Sequence, residues 1–334
     1  MRGSRMSILV TGGGGFIGSH MVFELVSCGE RVAVLDDLST GFEWAVPAAA
    51  ELVIGDVGDR VLLDRLMKTR RVETVMHFAG SVVVPNSVAD PLGYYLNNTV
   101  KSRELIAAAV ANGVENFIFS STAAVYGSPS RMPVTEDQPL DPLSPYGASK
   151  AMTERMLADA AAAYGLRSVT LRYFNVAGAD PQQRTGQSTR GATHLIKAAI
   201  EAATGQREYV AVFGTDYDTA DGTGVRDFIH VTDLVRGHIA ALAHLRRGGE
   251  NLTLNCGYGR GYSVLEVLDA VQRVSGQTLD IRARARRPGD IPVMVAAADR
   301  IRARFSWAPR HDDIDVIVEH ALAWEKTLIR RLAA

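Results

Sequence analysis

Thr11-Gly12-Gly13-Gly14-Gly15-Phe16-Ile17-Gly18 follows an apolar run at residues 8–11 and opens a helical pattern at residues 17–28. Gly12, Gly15 and Gly18 have the spacing of a dinucleotide-binding turn. The first permits a tight bend, the second lets backbone approach a pyrophosphate, and the third lets a helix pack close to a sheet. The helix N-terminus adds free N–H groups and positive dipole, both suited to an anion. In isolation, an ordinary glycine-rich turn looks the same. Context separates the two: Asp36 ends a second apolar run at residues 31–36, at the distance expected of an acid that binds a ribose. A carboxylate there accepts from the ribose hydroxyls and repels a 2′-phosphate, which favours NAD over NADP.

Outward from this turn, apolar β-branched runs at residues 52–54, 74–78, 116–120 and 168–173 alternate with helical patterns at 97–111 and 147–163. Gly29, Gly113 and Gly165 stand where helix stops belong. The alternation predicts an α/β fold, a doubly wound parallel Rossmann sheet. After Asn175 the pattern loosens into a Gly/Thr/Gln/Arg segment at 178–193, a helix at 194–204 and a Gly/Asp/Thr loop at 214–224. Further helices are expected at 231–245, 263–275 and 313–329, and a strand at 252–256. The expected division is a nucleotide-binding domain at 6–175 and a second, smaller α/β substrate-binding domain at 176–334, the chain returning to the first near 228–245.

Composition narrows the partners. With 36 Lys+Arg against 37 Asp+Glu, formal charge is −1 and the signs are mixed along the chain, so no electrostatic footprint points to nucleic acid or an anionic membrane. A small molecule is the expected partner. Cys28 and Cys256 form no CxxC and no His/Cys cluster, which excludes a disulfide framework, argues against a metal site and fits a reducing cytoplasm. No run approaches the ~20 apolar residues of a membrane span. Residues 1–5 read as an expression leader before a natural start at Met6, because the first strand pattern begins at Ser7.

The chemistry gathers at Ser120-Ser121-Thr122, ending a strand, and Tyr146-Gly147-Ala148-Ser149-Lys150, starting a helix. Tyr146 and Lys150, four apart, share one helical face. A lysine ammonium beside the phenol, with a positive nicotinamide, favours phenolate against an unperturbed pKa of about 10 and makes Tyr146 a base near neutrality. Thr122 supplies a hydroxyl to bridge a substrate oxygen and the phenol. Asp37 is either a solvated loop residue or a cofactor contact. Asp56-Val57 either holds an adenine or forms an ordinary turn. His77 reads as a packed core histidine, and Tyr94-Tyr95 as packing residues.

These residues, with Phe78-Ala79-Gly80, Phe119-Ser120-Ser121-Thr122-Ala123-Ala124-Val125-Tyr126-Gly127, Ser144-Pro145-Tyr146 and Leu171-Arg172-Tyr173-Phe174-Asn175, resemble the extended branch of the short-chain dehydrogenase/reductase superfamily. So do Asp221-Gly222-Thr223-Gly224-Val225-Arg226-Asp227-Phe228-Ile229-His230 and Arg287-Pro288-Gly289-Asp290. The resemblance runs from Met6 nearly to the C-terminus and is greatest to the nucleotide-sugar 4-epimerases. It implies that Phe16, Ile17, Asp36, Asp56, Val57, Phe78, Ala79, Gly80, Asn97, Tyr146, Lys150 and Phe174 contact NAD. It also implies that Thr122 meets the sugar, while Asn175, His194, Leu195, Ala211, Val212, Phe213, Arg226, Arg287 and Asp290 hold a UDP moiety. Arg226 and Arg287 suit a diphosphate clamp, and Phe213 a flat uracil.

Three positions depart from the family pattern: Val82 replaces a lysine near the ribose, His194 an asparagine near the pyrophosphate, and Met294 a tyrosine facing the sugar's C2 substituent. The implied reaction is NAD-dependent 4-epimerisation of a UDP-hexose, glucose to galactose, through a transient 4-keto intermediate that turns about the diphosphate. The main sugar stays open among hexoses, their N-acetyl forms and pentoses. A 4,6-dehydratase needs an added acid and base after the strand-end threonine, where this chain has Ala123-Ala124. A non-catalytic NAD-binding module predicts loss of Tyr146 or Lys150, and both are present. In the family the helices at 97–111 and 147–163 often form a dimer seam, so a homodimer is expected, in the service of galactose metabolism.

Overall fold

The computed structural model describes residues 7–287 and 289–333, so the readings of residues 1–5, Met6 and Pro288 lie outside the described residues. Six strands come first: β1 (Ser7–Thr11), β2 (Val32–Asp36), β3 (Glu51–Ile54), β4 (Val72–His77), β5 (Asn116–Thr122) and β6 (Arg167–Tyr173). Then follow β7 (Asn175–Ala177), β8 (Val210–Phe213), β9 (Val225–His230), β10 (Leu252–Cys256), β11 (Gly261–Ser263), β12 (Ile281–Arg284) and β13 (Val293–Met294). A seven-stranded sheet has the order β10-β6-β5-β4-β1-β2-β3, and the pairs β1/β2, β1/β4, β2/β3 and β4/β5 are parallel. Strand order reverses beside β1, where doubly wound sheets bind ligands at the strands' C-terminal ends. Thr11, Asp36, His77 and Thr122 are the residues that end those strands.

β1, β2 and β5 are buried along their whole length, which is why their centres read as continuous apolar runs rather than alternating ones. One core joins Leu9, Leu35, Val75 and Phe117 of the sheet to Leu63 and Leu66 of helix Arg60–Arg70, Leu105 of helix Lys101–Ala111 and Leu157 of helix Pro145–Tyr164. Helix Pro145–Tyr164 starts with Pro145 at its first position under a Ser144 hydroxyl that accepts from Gly147 N–H, and stops at Gly165 in the left-handed region. Helix Arg60–Arg70, capped by Asp59, was not foreseen: it has as many charged residues as apolar ones, and four buried residues suffice to seat it. The regular helix expected from residue 97 instead begins with a π-helical turn, Tyr95–Val100. There the Asn98 carbonyl accepts from the Ser102 and Thr153 hydroxyls at 2.5 and 3.1 Å, side-chain bonds that compete with the regular ladder.

The chain forms two compact units. The first takes residues up to Gly127, Pro139–Arg172 and Val235–Leu254; the second takes Ser128–Gln138, Tyr173–Leu234 and the chain from Asn255. The segment at 128–138, expected in the first domain, packs with the second because Val134 bridges Ala296 and donates to the Val295 carbonyl. In the second unit β9 pairs with β7 and β13 in parallel and with β11 antiparallel, while β8 and β12 form a separate parallel ribbon. Helix Val264–Ser275 opens with a reciprocal Ser263/Glu266 capping box.

The first helix approaches β1 so closely that a Cβ on Gly18 would lie 2.0 Å from the Gly12 carbonyl oxygen. Gly18→Ala is therefore expected to cost about 1–3 kcal/mol, read as a lower urea midpoint at unchanged slope. Gly15→Ala, whose Cβ would come no nearer than 3.3 Å, is expected to shift the midpoint less.

Candidate active site

The glycine turn and Asp36 are one hydrogen-bonded unit. Gly12 sits at φ +72°, and a Cβ there would stand 2.6 Å from the backbone nitrogen of Ala79, so only glycine allows β1 and the loop after β4 to meet. Asp36 accepts from Gly14 N–H through Oδ2 and from Leu38 N–H through Oδ1, both at 2.8 Å. Burial raises its carboxyl above the usual range, and the two backbone donors offset this in part. A bare backbone cradle at a helix start, beside a fixed carboxylate, fits a dinucleotide. Phe16 and Ile17 begin that helix. Asp37 turns into its own loop, accepting from Ser39 N–H and Oγ at 2.9 and 2.6 Å. Asp56 accepts from Lys101 Nζ at 2.6 Å and from Gly58 N–H, with buried Val57 next to it.

After β4, Phe78 lies against His238 with ring centroids 4.9 Å apart, and Asn97 donates to Ser81 Oγ at 2.9 Å. His77 is a satisfied core residue. Since Ser102 Oγ donates to the Asn98 carbonyl, His77 Nε2–H donates to Ser102 at 2.8 Å and Nδ1 accepts from Thr11 at 2.7 Å. Burial drives its pKa down to about 3. Tyr94 packs as expected, its hydroxyl donating to the Val83 carbonyl at 2.6 Å.

Thr122, Tyr146 and Lys150 come together. The Thr122 hydroxyl accepts from Ala124 N–H at 3.1 Å and is hydrogen-bonded to the Tyr146 phenol. Lys150 Nζ donates to the Ser120 carbonyl at 3.1 Å and lies 4.9 Å from the Phe119 ring centroid. The electrostatics of the residues alone run against a phenolate. Burial pushes the Tyr146 phenol up to about 12, only partly countered by Thr122, and pulls Lys150 down to about 8 against the nearby Glu154 carboxylate. A low-dielectric setting penalises both charged forms, so lysine alone does not make this tyrosine a base.

The second unit holds the other set. Arg287 Nε donates to Asp290 Oδ2 at 2.9 Å, and its guanidinium lies 4.7 Å from the Phe213 ring centroid. Arg226 donates to the carbonyls of Val225, Ile291 and Pro292 at 2.9, 2.8 and 3.2 Å, so carbonyl dipoles hold its charge, with the nearby Asp290 carboxylate offsetting part of its burial. The β9/β13 register sets Met294 beside Arg226. Ala211 and Val212 lie with Phe213 on β8, Asn175 begins β7 just after Phe174, and His194 and Leu195 head helix Leu195–Ala203.

The model of the NAD dependent epimerase/dehydratase family matches residues 8–257. The chain belongs to this family. It is 57% identical over 321 residues to UDP-glucose 4-epimerase of Azospirillum brasilense, covering 96% of this chain and 92% of that one. Among solved structures, UDP-glucose 4-epimerase from Brucella ovis in complex with NAD superposes with TM-score 0.93 at 42% identity, covering 96% and 98% of the two chains. The enzyme from Bifidobacterium longum in complex with NAD+ and UDP gives TM-score 0.91 at 36% identity over 96% and 98%.

Within the family site, four residues escaped the sequence reading. Asn98 donates to the Ser81 carbonyl and Ser149 Oγ and accepts from Ser81 N–H, tying the loop after β4 to helix Pro145–Tyr164. Lys101 anchors Asp56 from the next helix. Glu154 and Arg172 form a buried pair beside Ser121. The only signal for Glu154 was its place, four residues past Lys150 as Lys150 is four past Tyr146.

Asp36→Ala removes both the loop's acceptor and the charge that repels a 2′-phosphate. Titration with each cofactor should show weaker NAD binding and a smaller NAD/NADP preference. An unchanged preference would leave Asp36 with a purely structural part in the loop.

Proposed function

We propose that the chain interconverts UDP-glucose and UDP-galactose by NAD-dependent inversion at C4. The reading is carried by the Thr122 hydroxyl on the Tyr146 phenol, with Lys150 one helical turn on, in a chain this similar to UDP-glucose 4-epimerases. Gly12, Gly15, Phe16, Ile17, Gly18 and Asp36 hold NAD, with Asp56, Val57, Phe78, Ala79, Gly80, Asn97 and Phe174 as further contacts. Bound NAD supplies the reversible oxidation at C4 that inversion needs.

Tyr146 takes and returns the proton of the C4 hydroxyl. Thr122 aligns that hydroxyl with the phenol, and Lys150 supplies positive charge near it. Arg226 and Arg287 bind the diphosphate and Phe213 flanks the uracil, with Asn175, His194, Leu195, Ala211, Val212 and Asp290 completing the UDP contacts. Gripping the nucleotide firmly and the hexose loosely lets either face of C4 be presented. Ala123 and Ala124, in the turn after Thr122, carry no group that moves a proton, which disfavours a dehydratase.

The active form is a cytoplasmic homodimer. Leu92, Leu96 and Val100, at four-residue spacing, are 77%, 54% and 49% exposed, an apolar stripe suited to a second copy of the chain.

Two experiments test the reading. In UDP-galactose turnover followed by NMR at C4, Tyr146→Phe should keep its fold and NAD content yet lose ~10²-fold or more in rate. Wild-type turnover in the folded variant would remove Tyr146 from the chemistry. Met294 is buried, flexible and narrower than tyrosine, so weak activity on UDP-N-acetylglucosamine is expected beside strong activity on UDP-glucose. Met294→Cys should raise the acetylated activity and Met294→Tyr abolish it, each by about 1–3 kcal/mol in kcat/KM. A constant acetylated-to-unacetylated ratio across the three proteins would place the gate elsewhere.

A further inference from the structure

Tyr146, Lys150 and Glu154 follow one another at four-residue intervals on helix Pro145–Tyr164 and so lie along one face. The mechanism uses the first two and leaves the third. Glu154 is buried, and its Oε1 accepts from Ser121 Oγ at 2.5 Å, one residue before Thr122 at the end of β5. Arg172 of β6 closes on Glu154 bidentately, Nε to Oε1 at 3.0 Å and Nη2 to Oε2 at 2.5 Å. Its third nitrogen, Nη1, donates to the Tyr126 hydroxyl at 3.0 Å, and its guanidinium covers that ring with 4.9 Å to the centroid. Tyr126 ends the turn Ala123–Tyr126 that Thr122 caps.

We propose that Glu154 and Arg172 are positioning residues for the epimerisation, fixing the Thr122 strand end and its turn against the Tyr146–Lys150 face of the helix. The proposal rests on the reading of Tyr146 and Thr122 as the proton-transfer pair.

Stability is a weak reason to bury such a pair, because desolvating two charges offsets most of their attraction and apolar residues of similar volume often do as well. A solvated i,i+4 pair on the same helix, Arg155–Asp159, shows the alternative available to an arginine and an acid here. What the buried pair adds is direction. It joins β6, the helix, the end of β5 and the turn after it, elements that carry or adjoin Tyr146, Lys150 and Thr122. Hydroxyl-to-phenol alignment is sensitive to this: a shift of about 1 Å at a reacting group can cost 10²-fold in rate. The Glu154 carboxylate also opposes the burial that drives Lys150 toward neutrality.

The test compares Ser121→Ala, Glu154→Gln and Tyr146→Phe with wild type. Folding is checked by circular dichroism, bound NAD by absorbance, and kcat and KM for UDP-galactose are measured from pH 6 to 10. Ser121→Ala deletes one hydroxyl and leaves the ion pair, so it covers the case in which Glu154→Gln fails to fold around a lone Arg172. Ser121→Ala should lower kcat about 10-fold with KM within 2-fold. Glu154→Gln should lower kcat at least as far and move the alkaline limb of the kcat profile to lower pH, since Lys150 then loses its proton sooner. Wild-type kcat in both folded variants, with Tyr146→Phe inactive, overturns the proposal alone. A fall in thermal stability with kcat and the pH profile unmoved does the same and makes the pair structural. An active Tyr146→Phe overturns the parent reading and this proposal with it.

Discussion

The first unit depends on the contact between the start of helix Phe16–Ser27 and the end of β1. With Gly18 resting on the Gly12 carbonyl, the helix N-terminus is held against the sheet and its free N–H groups face the strand ends. The hydrogen bond from Gly14 to Asp36 then locks the end of β2 to the same loop. On the proposed function, an anion site and a hydroxyl-binding acid would thereby be set at a fixed separation before any ligand arrives. Asp36 spends one lone pair on each oxygen in holding its own loop, and each oxygen retains another for a ribose hydroxyl. The carboxylate proposed to bind is also the carboxylate that shapes the loop, so structure and recognition would not be separable there.

Burial acts in opposite directions on the phenol and the ammonium at the helix start. Tyr146 rises to about 12 and Lys150 falls to about 8, so the pair on its own leans toward two neutral groups. The sequence reading set a lysine and a positive nicotinamide together against the phenol's ordinary pKa; spacing conveyed the distance between the residues and not their desolvation. On the proposed function, an oxidised nicotinamide bound beside the pair would supply the further positive charge that lowering the phenol takes. Base strength would then be coupled to the cofactor.

Much of this was legible in the sequence, and the reasons differ by element. The parallel strands could be read because burial on both faces makes them continuous apolar runs. Tyr146, Lys150 and Asp36 could be read because their spacings are fixed by a helical turn and by a strand-loop-helix unit. The helix at Arg60–Arg70 was hidden by its charged composition, and the π-helical turn by its dependence on Ser102 and Thr153, one of them far along the chain. Segment Ser128–Gln138 joins the second unit through a bridge to Ala296, a pairing that no local pattern announces. Glu154 and Arg172 were invisible for the same reason. Each is an ordinary charged residue until the fold brings β6 to the helix.

The two arginines of the second unit that the proposed function gives to the diphosphate are held in different ways. Arg287 already faces a carboxylate, Asp290, and stacks on Phe213, so an arriving phosphate must share the guanidinium with an existing partner. Arg226 is held by carbonyl dipoles, and burial pulls its pKa down, so its positive charge is expensive and only partly compensated. An anion brought to Arg226 relieves that cost and gains the larger Coulombic attraction of a poorly solvated cation. On the proposed function, Arg226 would be the stronger source of affinity, and Arg287, fixed by its acid and its ring, the stronger source of orientation. Met294 lies in register with Arg226, so on the proposed function a change in side-chain size at Met294 would act next to that attachment.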